Sequence, residues 1–262
     1  MNQREYYSNF LDKRYFEGVC HRGRHDKKTI SENGMFAFKK AKENNFAFEC
    51  DIHLTKDNQL VVVHDSELKR VTGKEGIVEN LTLKEIQENF PLVIDGSTIP
   101  SFEELLNFVN FEVPMVVELK VYNKNYKELA QKTREILDKY LKVDGKLDEE
   151  KAKKIMLISF DPRALLPFRK YGLFLELLLA ESHLYVRHFR HLFPSIDVEY
   201  TLLETKWVKN YRKKHLVNCW TIDTDEKLNK VKDKADFITY EIIDLKWVLT
   251  TKNNFLFANI KL

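Results

Sequence analysis

Eight short β-rich runs, separated by longer stretches with helical apolar spacing, recur from one end of the chain to the other, and this alternation restricts the fold more than any other feature. The runs are GVCH (18–21), FAFECDIHL (46–54), MVVEL (115–119), IMLISF (155–160), LFLELLLA (173–180), DVEYTLL (197–203), LVNCWTI (216–222) and DFITYE (236–241). Helices are predicted between them over 32–44, 102–110, 126–141, 162–171, 182–192, 205–214 and 225–232. Strands that alternate with helices lie parallel, because each crossover returns the chain to the same edge of the sheet. Eight such units in 262 residues match a closed (β/α)8 TIM barrel, a fold that takes about 250 residues. One domain over residues 1–262 is expected. The connection after the second run breaks the rhythm with LVVVH (60–64), the turn VTGKEG and a short helix at LTLKEIQENF, which predicts a small insertion after strand 2.

Composition removes several function classes. Apolar residues make up 44% of the chain, enough for a large core without disulfides. Lys and Arg (43) nearly balance Asp and Glu (40), and no basic run interleaves with aromatics, so nucleic acid is not an expected partner. Cys20, Cys50 and Cys219 are far apart and lack zinc spacing, which predicts a reduced, cytoplasmic protein. No run of about 18 apolar residues predicts a transmembrane segment. Peripheral membrane contact stays open: YVRHFRHLF (185–193) mixes cations with aromatics, although an ordinary amphipathic helix with a basic solvated face is the simpler expectation.

In a parallel barrel the reactive groups gather at the carboxyl ends of the strands, where the variable loops converge. Four neighbouring tips here carry ionisable residues: His21 and Arg22, then Glu49 and Asp51, then His64 and Asp65, then Glu118 and Lys120. Trp220 lies near a fifth tip. Glu49 and Asp51 are two apart and share a strand face, with Cys50 on the other, and Glu118 and Lys120 repeat that spacing. Three converging carboxylates are driven towards protonation unless a cation joins them, and an all-oxygen set suits Mg²⁺ or Ca²⁺ rather than zinc. The alternative is a solvated rim on which these acids pair with Lys or Arg. His21 and His64 are of the one side-chain type that can titrate near neutrality, while the planar fork of Arg22 and the point charge of Lys120 suit an anionic phosphate. His53 shares the face of Asp51 but is expected beyond the strand as a rim residue. His25 and Asp26 are expected in a solvated loop, and Cys20 and Cys50 on the helix side of the barrel.

HRG (21–23), EN (32–33), ECDIHLTKDNQLVVVHD (49–65), TG (72–73), IPSFEELL (99–106), VELK (117–120), SFD (159–161) and CWTID (219–223) follow one another in an order that resembles the glycerophosphodiester phosphodiesterases, from residue 18 to about 241. The resemblance implies a TIM barrel that hydrolyses glycerophosphodiesters, as small-molecule substrates, to sn-glycerol 3-phosphate and an alcohol. It implies that Glu49, Asp51 and Glu118 hold one divalent ion, Mg²⁺ or Ca²⁺. His21 and His64 are then general acid and base in either order, Arg22 and Lys120 bind phosphate, and Trp220 borders the glycerol or head group. Where the family often has an Asn after the Trp-Thr pair and an Asp near the last strand, this chain has Asp223 and Thr239-Tyr240-Glu241. The short connection after His64 predicts a small, head-group-sized pocket. Two alternatives stand beside this reading. One is a phospholipase D-like or lysophospholipase D activity on lysolipids, which an exposed apolar ring at the pocket mouth favours. The other is a catalytically silent barrel binding a phosphorylated metabolite, against which the two histidines and three carboxylates argue.

Overall fold

In the computed structural model, which describes residues 3–241, eight parallel strands pair in chain order. They are β1 (Val19–Cys20), β2 (Ala47–Leu54), β3 (Met115–Leu119), β4 (Ile155–Ser159), β5 (Phe174–Leu179), β6 (Ser195–Glu199), β7 (Leu216–Ile222) and β8 (Phe237–Tyr240). β1 pairs with both β2 and β8, which closes the barrel as the alternation predicts. The strands are buried on both faces, as parallel strands covered by helices must be. Phe48, Cys50 and Ile52 of β2 pack outward in the core beneath the helices, together with Cys20. Ala47, Val116, Met156 and Phe174 fill the inside.

The amino-terminal end of the barrel is closed by the helix Gln3–Phe10 and the 3-10 turn Lys13–Glu17. The Tyr7 ring lies 4.8 Å from that of Phe174, Phe16 lies 5.5 Å from Phe237, and the Tyr15 hydroxyl donates to the Met115 carbonyl at 2.9 Å. At the other end, the insertion after β2 begins with the strand Leu60–Val62, antiparallel to β2. It carries a small core of its own, including Val61, Leu68, Val78, Ile86, Phe90 and Ile99. Thr82 with Glu85 and Ser101 with Glu104 form capping boxes that start the helices Leu83–Asn89 and Phe102–Val109. The antiparallel return brings the Val63 N–H to the Asp51 carbonyl at 3.1 Å and so delivers His64 to the rim beside β2.

Several expected elements are corrected. The run 18–21 keeps only Val19–Cys20 as strand, because Arg22 and Gly23 take positive φ and turn the chain at once. The run 197–203 is displaced: β6 starts at Ser195, whose inward hydroxyl donates to Glu176 at 2.6 Å, and Tyr200–Glu204 is a 3-10 turn. The helix expected over 162–171 is α-helical only at Pro162–Leu165, since Pro167 lacks an N–H and the chain continues as a 3-10 turn. The stretch 182–192 lies within 3-10 turns over Glu181–Leu192, broken at His183. A hairpin of Lys142–Val143 with Lys146–Leu147 has no counterpart in the sequence reading. No helix among the described residues is long and apolar enough to cross a membrane.

Candidate active site

Parallel pairing of β2 with β3 sets Asp51 directly opposite Glu118, with Glu49 two residues back on the same face. One carboxylate oxygen from each of the three lies within 4.8 Å of the others, and all three side chains are buried. Glu49 accepts the backbone N–H of Arg22 at 2.8 Å. Asp51 accepts from the Asn33 amide at 2.8 Å through one oxygen, while its other oxygen has no hydrogen-bond partner. Lys120 Nζ stands 3.0 Å from Glu118 and 3.6 Å from Asp51, and Arg22 Nε stands 3.5 Å from Asp51.

Burial, and then the charges of Asp51 and Glu118, push Glu49 well above the usual carboxylate range. Burial raises Glu118 to about 7 despite the nearby Lys120. Asp51 moves the other way: burial opposes its ionisation, but Lys120, His64 and Arg22 together hold it ionised. The rim is therefore not solvated. Lys120 and Arg22 approach its acids without pairing every oxygen, and the orphaned Asp51 oxygen faces an all-oxygen donor set that fits a hard divalent cation.

Each predicted imidazole has a carboxylate behind it. His64 Nδ1 donates to Asp65 at 2.6 Å, and the second Asp65 oxygen takes a hydrogen bond from Arg70 Nε. His21 Nδ1 stands 3.7 Å from Glu241, an ion-pair approach rather than a hydrogen bond, and its backbone N–H donates to the Tyr240 carbonyl at 2.8 Å. Burial lowers both rings: His64 falls to about 4, with Lys120 and Arg22 adding to burial against the pull of Asp51. His21 is lowered by burial and by Arg22, with Glu241 opposing.

Two expected rim residues are something else. His53 lies on β2, not beyond it, and is buried. Its Nε2 donates to the His64 carbonyl at 3.0 Å, and its Nδ1 meets Glu79 at 2.7 Å. His25 is buried rather than solvated, because Glu241 stands 3.3 Å from its Nε2 and also binds Lys27 at 2.5 Å. Glu241, flagged in the sequence only as a departure, thus backs His21. Asp26 does lie at the surface, where it accepts the N–H groups of Lys28, Thr29 and Ile30. Asn33 and Glu32 were legible only as the Glu-Asn pair of the motif string. Trp220 is half-buried on β7, edge-to-face with Phe160 at 5.7 Å.

A cavity of about 1080 Å³ opens beside Glu118, Lys120 and His64. Its far wall is aromatic: Tyr122, Phe160, Tyr185 and Phe189 line it, with Tyr185 72% and Phe189 44% exposed. This corrects the expectation of a head-group-sized pocket, since it reaches the upper end of the roughly 300–1,000 Å³ typical of ligand sites. Its exposed rings, Tyr185 and Phe189, come from the segment after β5, with Tyr122 after β3 and Phe160 after β4, and not from the insertion whose length suggested a small site.

A parallel barrel with buried carboxylates, two imidazoles and the cations Arg22 and Lys120 on its carboxyl-end rim has the groups that hydrolysis of a phosphoric diester requires. The profile of the Glycerophosphoryl diester phosphodiesterase family matches residues 21–250, and the chain belongs to that family. It is similar to a glycerophosphodiester phosphodiesterase of Caldanaerobacter subterraneus, 28% identical over 228 residues that cover 81% of this chain and 88% of that protein. It is similar to a lysophospholipase D of Rattus norvegicus, 28% identical over 241 residues that cover 86% of this chain and 74% of that one. The crystal structure of a glycerophosphodiester phosphodiesterase from Thermotoga maritima superposes with a TM-score of 0.69 at 26% identity, over 90% of this chain and 96% of that one.

Proposed function

We propose that this chain hydrolyses glycerophosphodiesters to sn-glycerol 3-phosphate and an alcohol within one barrel domain, with a single Mg²⁺ or Ca²⁺ held by Glu49, Asp51 and Glu118. The observation that carries the proposal is the convergence of these three buried oxygen donors within 4.8 Å, with His64 and His21 near enough to interact electrostatically with Asp51. When bound, the cation stabilises charge on the phosphoryl oxygens and lowers the pKa of an attacking hydroxyl. Arg22 offers the phosphate a planar donor fork, and Lys120 a point charge. One imidazole takes the proton of the attacking hydroxyl, either water or the glycerol's own, and the other protonates the leaving alkoxide. Trp220 borders the glycerol or head group. Three buried free cysteines suit a reducing, cytoplasmic setting.

The test is glycerol 3-phosphate release from a panel of glycerophosphodiesters, with and without each cation after chelation. Release that persists in protein shown to be metal-free overturns the carboxylate cage, and no release from any member overturns the substrate class. A second reading, lysophospholipase D action, is favoured by the aromatic wall: an acyl chain fits the Tyr185 and Phe189 side, where a bare head group leaves the space unfilled. Faster release from lysolipids than from glycerophosphodiesters selects it.

A further inference from the structure

One unbroken chain of charge-assisted hydrogen bonds joins Arg22 to His64. Arg22 Nη1 donates to Glu32 Oε1 at 2.7 Å. The same oxygen accepts from Arg70 Nη2 at 2.7 Å, and Glu32 Oε2 accepts from Arg70 Nη1 at 3.1 Å, a bidentate pair. Arg70 Nε donates to Asp65, whose other oxygen takes the His64 Nδ1–H at 2.6 Å. The signs alternate, and three loop regions contribute: the turn after β1, the rim following Leu60–Val62, and the short helix Lys69–Thr72. An isolated surface ion pair at Arg70, whose side chain is 49% exposed, contributes little. Here all three kinds of guanidinium nitrogen are used at once, and the side chain of Glu32 is only 9% exposed.

We propose that Glu32 and Arg70 are positioning residues that lock the phosphate fork of Arg22 and the imidazole of His64 into a single geometry, so that phosphate binding and proton transfer are coupled through the pair. The inference rests on the roles given to Arg22 and His64 above. Ionised Asp65 accepts only from an Nδ1–H, which fixes His64 as the tautomer whose Nε2 lone pair is turned away from Asp65 and free to exchange a proton with substrate. Arg70 holds Asp65 in that orientation, and through Glu32 it also limits the swing of Arg22. A misplacement of about 1 Å at either group costs on the order of 10²-fold in rate.

The experiment compares Glu32→Gln, Arg70→Met, Arg70→Lys and Asp65→Asn on a soluble glycerophosphodiester such as glycerophosphoethanolamine. Thermal unfolding confirms that each variant folds, and nitrogen NMR reads the His64 tautomer. Glu32→Gln and Arg70→Met are expected to lower kcat and raise KM together, with kcat/KM down roughly 10- to 100-fold. Arg70→Lys, which keeps the charge and loses the fork, does not rescue. Glu32→Gln combined with Asp65→Asn is expected to be scarcely worse than the poorer single variant, because both break one unit. The His64 tautomer becomes mixed in Arg70→Met. Folded Glu32→Gln and Arg70→Met proteins with wild-type kcat and KM overturn the relay while His64→Ala and Arg22→Ala remain inactive, and so do multiplicative losses with an unchanged tautomer. Full turnover in His64→Ala or Arg22→Ala overturns the underlying roles instead.

Discussion

His53 Nε2 lies 3.0 Å from the backbone carbonyl oxygen of His64, so one buried imidazole holds the main chain of another. Glu79 anchors the opposite ring nitrogen of His53 and also accepts the Ser66 hydroxyl. Replacing His53 with Ala leaves the His64 carbonyl and one oxygen of Glu79 without their partner, at a cost of about 1–3 kcal/mol. Urea unfolding should show the midpoint falling at constant slope, and kcat should fall more than KM rises. A destabilised variant with wild-type kcat shows that His53 does not position His64.

Cation binding should strengthen with pH. Glu118 is raised to about 7 and Glu49 also lies above its ordinary value, so without a cation the folded state holds more protons than the unfolded state above the usual glutamate range. That contribution to stability is present at low pH and lost as pH rises through the folded values. A cation must displace these protons, so its affinity rises across the same window, and at about 100 times its Kd it adds about 2.7 kcal/mol. Melting temperature with and without Mg²⁺ or Ca²⁺, compared at about pH 6 and about pH 8, should show the larger gain at the higher value. An equal gain at both removes the cage.

His21→Ala and His64→Ala should each lower kcat by roughly 10²- to 10⁴-fold without unfolding the protein, as expected for loss of one acid–base group. The lowered His64 also gives an acid-side signature. Its folded value of about 4 lies below the unfolded 6.5, so protons favour the unfolded chain, and this contribution to stability is lost as pH falls from about 6.5 towards 4. In His64→Ala that part of the acid sensitivity should be reduced, as read from denaturation midpoints over the same range.

Tyr185→Ser with Phe189→Ser separates the two substrate readings. If an acyl chain lies against these rings, the loss of apolar burial, worth about 1.5–3 kcal/mol per side chain, raises KM for a lysophospholipid by roughly 10-fold or more and leaves glycerophosphoethanolamine turnover nearly unchanged. An equal effect on both substrates assigns the wall to the shape of the site and not to a chain.

The barrel was legible because its signal is repeated: apolar runs such as MVVEL and LFLELLLA, bounded by helical spacing, leave few other arrangements for eight units. The shared face of Glu49 and Asp51 was equally readable from strand periodicity, while Glu118 joins them through the pairing of β2 with β3. What escaped are long-range relations that no local pattern encodes. His25 and His53 look like loop imidazoles until Glu241 and Glu79 arrive from distant segments. Glu32 reads as a helix-start acid, yet two arginines share it across the rim. The boundaries of β6 moved because an inward Ser195 is satisfied by Glu176, a partner on another strand. The aromatic wall escaped for a related reason: insertion length after β2 says nothing about a segment that folds in from β5.

The aromatic plug formed by Tyr7, Tyr15 and Phe16 under the strands has a kinetic corollary. With that end stoppered, a substrate hydrolysed as proposed enters, and its fragments leave, at the carboxyl end of the strands, where Tyr185 and Phe189 line the cavity. If that hydrolysis takes place, a shared exit makes the fragment nearer the opening leave first, so that a slowly departing alcohol holds back turnover.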